Sequence, residues 1–274
     1  MNTILTAVLL VGGLGLAAGL ILAVASVLMA VPKDEKTEAL VDLLPGANCG
    51  ACGYSGCEGY AKAMAHDGEK VGLCSPGGVA VAEATARLLG VEGGNVAHKT
   101  AMVRCGGCEE FTARKLDYHG IQSCRAAAQF YGGNWQCNFG CLGYGDCKAA
   151  CEYEAITVKD GLARVDPTVC RGCTKCVSAC PKGLIAMYDS NVHGVVRCSS
   201  HDKGAVTRTA CKVGCIGCGK CAKVCEYGAV TVTDNLATID PEKCVGCGKC
   251  AENCPIHCIT IYMPADQDVV CEKN

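Results

Sequence analysis

Two closely spaced runs of cysteine are the residues of this chain best suited to chemistry. The first extends from Cys170 to Pro181 with the spacing C-x2-C-x2-C-x3-C-P, and a second run from Cys244 to Pro255 repeats it. Three thiolates on one short loop can bind three corners of a [4Fe–4S] cluster, while the fourth, just before proline, turns toward a neighbouring cluster. Disulfide scaffolds rarely show this spacing. The two runs therefore predict iron–sulfur clusters.

Composition also favours metal over disulfides. The chain has 274 residues, enough for about two domains, and 27 of them are cysteine. Secreted disulfide scaffolds are usually much shorter, so we expect reduced thiols that bind iron. Only 5% of the residues are aromatic, which predicts thin apolar cores stabilised by the clusters themselves. The net charge of −2 gives no support to nucleic-acid binding.

An uncharged segment of 28 residues, from Ile4 to Val31, precedes all of the cysteines. About 20 apolar residues cross a bilayer, so this segment predicts a transmembrane helix. The alternative is a cleaved signal peptide, with Ala23–Ala25 as its cleavage site. The length of the segment and the lack of a basic residue before it argue against cleavage. Lys33 and Lys36 follow the helix, which predicts that the rest of the chain lies on the cytoplasmic side.

A second kind of cysteine group follows the helix. It has the spacing C-x2-C-x4-C-x16-C and consists of Cys49, Cys52, Cys57 and Cys74. Four thiolates suffice for one [4Fe–4S] cluster. Zinc also binds four cysteines, but the glycines between these residues and the runs downstream favour iron and sulfide. The surrounding sequence predicts helices at 37–44, 58–65 and 79–89. Gly90 is expected to end the third helix.

From Cys124 onward the chain is an internal duplication with a shift of 74 residues. The cysteines of the first copy are Cys124, Cys137, Cys141, Cys147, Cys151, Cys170, Cys173, Cys176 and Cys180. Their counterparts are Cys198, Cys211, Cys215, Cys221, Cys225, Cys244, Cys247, Cys250 and Cys254. Hairpin strands are predicted at 156–158 with 162–165 and at 230–232 with 236–239. Each copy is thus predicted to be a small ferredoxin with two clusters.

The crossed ligand rule of such ferredoxins assigns two clusters to each copy. The first copy departs from the rule, because Tyr144 stands where the second copy has Cys218. Cys137, four residues before Cys141, is the expected substitute, and a first copy with only one cluster is the alternative. The predicted ligand sets are Cys49, Cys52, Cys57 and Cys74; Cys137, Cys141, Cys147 and Cys180; Cys151, Cys170, Cys173 and Cys176; Cys215, Cys218, Cys221 and Cys254; and Cys225, Cys244, Cys247 and Cys250.

Seven cysteines remain outside these five sets. They are Cys105, Cys108, Cys124, Cys198, Cys211, Cys258 and Cys271. Free buried thiols are the default for such residues. The sequence leaves open a sixth metal site formed from Cys105, Cys108, Cys124, Cys198 or Cys211.

The expected fold class is α+β, with a single N-terminal transmembrane helix, a small four-cysteine [4Fe–4S] domain and two tandem bacterial-type two-cluster ferredoxin units. The predicted segments are a transmembrane anchor at 1–31, the four-cysteine domain at 32–97, a connector at 98–134, the first ferredoxin unit at 135–190, a second connector at 191–210 and the second ferredoxin unit at 211–265. No flavin or nucleotide fingerprint follows a predicted strand, so neither cofactor is expected on this chain. No catalytic side chain is predicted.

These features together carry a resemblance that extends over nearly the whole chain. The membrane helix is followed by NCGACGYSGC at Asn48–Cys57, by GCLGYGDC at Gly140–Cys147 and by the ferredoxin runs. In this combination the chain resembles the B subunit of the Rnf electron-transport complex, in the long form of anaerobic, clostridium-like bacteria. The Cys49 group alone is less specific, since it also resembles the cluster domain of corrinoid iron–sulfur proteins.

The resemblance implies one subunit of an enzyme complex in the cell (inner) membrane, not a complete enzyme. Such a complex oxidises reduced ferredoxin and passes the electrons toward NAD, coupled to Na+ or H+ transport. The implied partners are soluble ferredoxin as donor, an NAD- and flavin-binding subunit and several membrane subunits. Electrons would enter at the C-terminal units and leave from the Cys49 group. The alternative function is the electron-transfer subunit of a membrane-associated hydrogenase or dehydrogenase.

Overall fold

The structure is a computed structural model that describes residues 2–28, 34–94, 96, 98–189 and 193–261. Lys33 and Cys271, both named above, lie outside the described residues, as do the ends of several predicted segments. The chain divides into two compact units, residues 1–39 and 40–274.

Short helices and two-stranded sheets make up the described part of the chain. The helices are α1 (Asn2–Leu28), α2 (Glu35–Leu43), α3 (Cys57–His66), α4 (Gly78–Leu89), α5 (Cys124–Ala128), α6 (Asp146–Ala149), α7 (Lys175–Ala179), α8 (Gly204–Ala210), α9 (Lys220–Val224) and α10 (Lys249–Glu252). The strands are β1 (Lys99–Val103), β2 (Ile156–Lys159), β3 (Leu162–Val165), β4 (Ile185–Asp189), β5 (Gly194–Val196), β6 (Val230–Thr233), β7 (Leu236–Ile239) and β8 (Ile259–Ile261).

The N-terminal unit is built on α1, which contains no charged residue. Its segment Leu5–Ser26 spans 22 residues with a mean hydropathy of 2.5 and buries none of its window against protein. A helix that is apolar on all sides and uncovered by protein suits contact with lipid. The structure therefore confirms a helix with the length and composition of a membrane span. Asp34 begins the next helix by accepting hydrogen bonds from Lys36 N at 3.3 Å and Thr37 Oγ1 at 2.7 Å.

The four-cysteine domain packs three helices around a small core. The predicted helices correspond to α2, α3 and α4, and Gly90 ends α4 in the left-handed conformation, with φ of 70°. Leu40, Tyr60 and Met64 form the centre of the core. The Tyr60 hydroxyl donates to Lys70 O at 2.8 Å and accepts from Leu73 N at 3.2 Å, which fixes the loop before Cys74.

Each ferredoxin unit contains the hairpin that the sequence predicts. β2 pairs antiparallel with β3, Ile156 opposite Val165, and β6 pairs with β7 in the equivalent register. Asp160 and Gly161 both have positive φ, as a tight two-residue hairpin turn requires. Gly143 packs directly beneath this turn, where a Cβ would come within 2.6 Å of Gly161 O. The cysteine loop can approach the hairpin only because this residue is glycine.

Two strands lie in segments that the sequence assigned to connectors. β1 pairs antiparallel with β4, and β5 pairs antiparallel with β8. Each ferredoxin unit therefore has a second two-stranded sheet, with one strand contributed by the segment that precedes the unit. β1 has only one exposed residue, and β5 is buried throughout. These strands belong to the cores of their units.

Candidate metal centres

Five cavities, with volumes from about 310 to about 350 Å³, are each lined by at least four cysteines. In chain order they are site 1 (Cys49, Cys52, Cys57 and Cys74), site 2 (Cys124, Cys141, Cys147 and Cys180), site 3 (Cys151, Cys170, Cys173 and Cys176), site 4 (Cys215, Cys218, Cys221 and Cys254) and site 5 (Cys225, Cys244, Cys247 and Cys250). Four of these sets are the ones that the sequence predicts.

The crossed arrangement of the ferredoxin units is visible in both copies. Cys180 turns away from its own run and lines site 2, whereas Cys151 lines site 3. The second copy repeats this exchange with Cys254 at site 4 and Cys225 at site 5. A repeated ion pair joins the parts, because Lys249 Nζ lies 2.6 Å from Glu226 Oε1 and Lys175 pairs with Glu152.

Site 2 differs from the predicted set in one residue. Cys124, not Cys137, lines the cavity with the other three cysteines. The cause is Asp146, whose carboxylate accepts hydrogen bonds from Ser123 Oγ at 2.9 Å, Cys124 N at 3.0 Å and Arg125 N at 2.9 Å. These bonds tie the start of α5 to the residue before Cys147. They also lower the pKa of Asp146 and thereby favour the charged form.

Tyr144, which occupies the sequence position of a ligand, packs against aromatic rings. Its ring lies edge-on to Tyr118, with centroids 5.6 Å apart. Both rings pack on a buried group that includes Trp135, Leu142 and Cys124. The first unit therefore fills the place of the missing thiol with apolar contacts, and Cys124 brings a thiol from the preceding segment.

Site 4 contains a fifth thiol, that of Cys258. Its Sγ lies 3.6 Å from Cys254 Sγ. Interaction with Cys258 lowers the pKa of Cys254 to about 5 and that of Cys215 to about 6. Cys258 belongs to none of the ligand sets that the sequence predicts.

Site 1 adjoins site 3. Ser75 Oγ donates to Arg171 O at 3.4 Å, and a Cβ on Gly172 would come within 2.5 Å of the same hydroxyl oxygen. Charge on Cys49 contributes to the raised pKa of Cys173, after burial as the main cause. The four-cysteine domain thus packs against the long cysteine run of the first ferredoxin unit.

These donor sets fit [4Fe–4S] clusters better than single metal ions. Zinc binds four sulfurs at about 2.3 Å, yet no group of three or more His, Cys, Asp or Glu side chains within the described ranges could hold one ion. The sulfurs instead surround cavities, as a four-cornered cluster requires. Backbone donors also point at them, with Ala101 N 3.5 Å from Cys170 Sγ and Leu184 N 3.5 Å from Cys180 Sγ. Such bonds favour the thiolate that binds iron.

Burial has the opposite effect on the free thiols. It raises the pKa of Cys147 and that of Cys176 to about 12. Each thiol is therefore protonated at neutral pH until a cation replaces its proton. Cluster binding at these sites must release protons.

Family models match three segments that contain these cysteines. The family described as "Putative Fe-S cluster" matches residues 44–76, a "4Fe-4S binding domain" matches 162–185 and a "4Fe-4S dicluster domain" matches 214–258. The chain carries multiple [4Fe–4S] clusters.

Curated relatives cover most of the chain, and all three described here are B subunits of ion-translocating complexes. That of the Na(+)-translocating ferredoxin:NAD(+) oxidoreductase complex of Acetobacterium woodii is 40% identical over 95% of this chain and 78% of its own length. That of the proton-translocating ferredoxin:NAD(+) oxidoreductase complex of Clostridium ljungdahlii is 39% identical over 88% and 85%. That of the ion-translocating oxidoreductase complex of Methanosarcina acetivorans is 38% identical over 88% and 92%. The chain belongs to the family of Rnf complex B subunits.

Membership in the Rnf B family makes this chain a membrane-associated subunit of a multisubunit oxidoreductase and agrees with the resemblance found in the sequence. Cys124 of this Rnf B subunit was not among the predicted cluster ligands. A signal was present, because Asp146 in the first copy is matched by Lys220 in the second, so only the first copy can hold its preceding segment in this way. A second signal is the repeated Val-Arg-Cys at 103–105 and 196–198.

Proposed function

We propose that this Rnf B subunit accepts electrons from reduced ferredoxin and passes them to partner subunits that reduce NAD and translocate a cation. The names of the A. woodii and C. ljungdahlii relatives state ferredoxin and NAD for those proteins. One name specifies Na+ and the other protons at nearly equal identity, so the proposal names only a monovalent cation. The chain's own sequence shows no flavin or nucleotide fingerprint, which assigns the NAD chemistry to a partner.

The contact between site 1 and site 3 is the observation that carries this proposal. When bound, [4Fe–4S] clusters supply one-electron transfer at potentials tuned by hydrogen bonds and exposure. The chain contributes by placing the thiols of separate sites beside one another, as Cys49 and Cys173 are. This contact joins the domain that follows the membrane helix to the ferredoxin-like units. A subunit that only used clusters as structural supports would not need its sites in contact.

Exposure supports entry at the second ferredoxin unit. Cys218 of site 4 and Cys247 of site 5 are exposed, whereas Cys147 of site 2 and Cys173 of site 3 are buried. A soluble donor must approach a cluster closely, so we assign ferredoxin docking to the face that contains Cys218 and Cys247. We place this face in the cytoplasm, where ferredoxin is found. Lys36 after the membrane helix supports that side.

The test uses the assembled complex in membrane vesicles. Cys173→Ala removes one thiol of site 3 and is expected to reduce ferredoxin-dependent NAD reduction at least tenfold. NADH oxidation by the partner subunits with an artificial acceptor should continue at the wild-type rate. Cys108→Ala is the matched control, because Cys108 is also buried but lines none of the five sites. Wild-type NAD reduction by the Cys173→Ala complex would refute the proposal.

A further inference from the structure

Four cysteines outside the five sites converge between the two ferredoxin units. Cys105, Cys137 and Cys211 are only 7, 9 and 8% exposed, and Cys198 is partly buried. Gly107 lies between two of them. A Cβ on this glycine would come within 3.1 Å of Cys211 Sγ and 3.8 Å of Cys105 Sγ. The two sulfurs therefore face the same point from different parts of the chain.

The other two thiols join this pair through mutual charge effects. Burial raises the pKa of Cys137, and charge on Cys211 raises it further. Burial likewise raises the pKa of Cys198 to about 11, with smaller contributions from Cys215 and Cys137. Each of the four thiols thus lies within electrostatic reach of another one.

Backbone N–H groups point at these sulfurs, as they do at the five sites. Cys141 N lies 3.5 Å from Cys105 Sγ, and Ser200 N lies 3.4 Å from Cys198 Sγ. Cys137 accepts from two backbone N–H groups, those of residues 139 and 140. Donors aimed at sulfur stabilise a thiolate. Neutral, purely structural thiols would gain little from them.

Both ferredoxin units position the group. The segment after β1 crosses to the second unit, where Ala113 N donates to Ala210 O at 2.9 Å and Lys212 N donates to Phe111 O at 2.8 Å. Ser199 Oγ also donates to Arg104 O at 3.0 Å. These bonds hold the two chain segments together without any help from sulfur, so the thiols converge on a preformed frame.

The two Val-Arg-Cys segments have equivalent roles in this frame. Cys105 follows β1 and accepts from the N–H of Cys141, the first thiol of the first unit's leading loop. Cys198 follows β5 and accepts from the N–H of Cys215, the first thiol of the second unit's leading loop. The group therefore touches site 2 on one side and site 4 on the other.

We propose that Cys105, Cys137, Cys198 and Cys211 bind a sixth [4Fe–4S] cluster that connects the two ferredoxin units. A single zinc ion does not suit the group, because no set of three or more ligands in the described part of the chain is compact enough for one ion. A disulfide does not suit it either, since every cysteine within the described residues is free. Four thiolates facing one another need the positive charge of iron to offset their repulsion.

Cluster counting tests the proposal directly. The full chain, purified without oxygen, should contain about 24 irons and an equal amount of acid-labile sulfide, at four of each per cluster. Native mass spectrometry should show six clusters in the wild-type chain. Five clusters, about 20 irons, or zinc bound in place of iron would overturn the proposal. The count is independent of whether the chain carries electrons, so it separates this proposal from the proposed function.

Variants test the ligand set. Cys198→Ser and Cys211→Ser should each lose about four of the 24 irons while the remaining clusters persist. Cys108→Ser should keep all of them, because Cys108 is a buried neighbour outside the set. Full iron content in both ligand variants, or loss of iron from Cys108→Ser alone, would overturn the assignment. If a variant fails to fold, the wild-type mass measurement decides the question.

Discussion

Asp146 provides the sharpest prediction about site 2. Its carboxylate accepts three hydrogen bonds of 2.9–3.0 Å from Ser123, Cys124 and Arg125. These bonds are what brings Cys124 from the preceding segment to Cys141 and its partners. Asp146→Ala removes all three acceptors at once and leaves every thiol in place. We expect the cluster at site 2 to become labile.

The size of the effect follows from these contacts. A hydrogen bond to a charged group contributes about 1.5–3 kcal/mol. Because Asp146 is partly exposed, water competes for it, and a contribution of about 1 kcal/mol per bond, or about 3 kcal/mol in total, is appropriate. Each 1.4 kcal/mol corresponds to a factor of ten. The loop that carries Cys124 should therefore open about a hundredfold more often in Asp146→Ala.

Iron release to a coloured chelator, measured without oxygen, detects this opening. Asp146→Ala should release about four of its irons roughly a hundredfold faster than wild type, and the rest at the wild-type rate. Asp146→Asn keeps one acceptor oxygen and should show a smaller acceleration. Asp117→Ala, which removes an exposed acid paired with Arg114, is the control and should change nothing. A wild-type release rate in Asp146→Ala would refute the assignment of Cys124.

Three further predictions concern the same chain. Cys124→Ser should lose the site 2 irons, and adding Tyr144→Cys should restore them, because the second copy uses that position for Cys218; an unrescued double variant would contradict the equivalence of the copies. Gly143→Ala should lower the melting temperature far more than Gly183→Ala, since both have positive φ but only Gly143 meets a backbone oxygen; equal shifts would contradict this packing. Deleting residues 2–28 should release the chain from membranes without detergent, with its iron content unchanged.

Much of the fold follows from local sequence. The hairpins were predictable because short β-branched stretches flank Asp160-Gly161 and Asp234-Asn235, and turns of this kind permit only a few residue types. The ligand runs were predictable because a cubane fixes the spacing of three thiols on one loop. The membrane helix needed only length and the absence of charge.

The remainder depends on contacts between distant segments. β1 was assigned to a connector because its partner β4 lies more than 80 residues away in sequence, and pairing at that distance has no local signal. Cys137 was chosen for site 2 because it stands four residues before Cys141. The structure instead uses Asp146 to bring in Cys124, a contact over 22 residues. Spacing alone could not distinguish these two thiols.

Rapid-freeze electron paramagnetic resonance of the assembled complex tests the central claim most directly. The complex is mixed with reduced ferredoxin and NAD, and the spectra of reduced clusters are compared in time with NADH formation. Signals that Cys173→Ala removes should rise before NADH appears, and NADH formation should fall at least tenfold in that variant. NADH formed at the full rate before or without these signals would contradict the account.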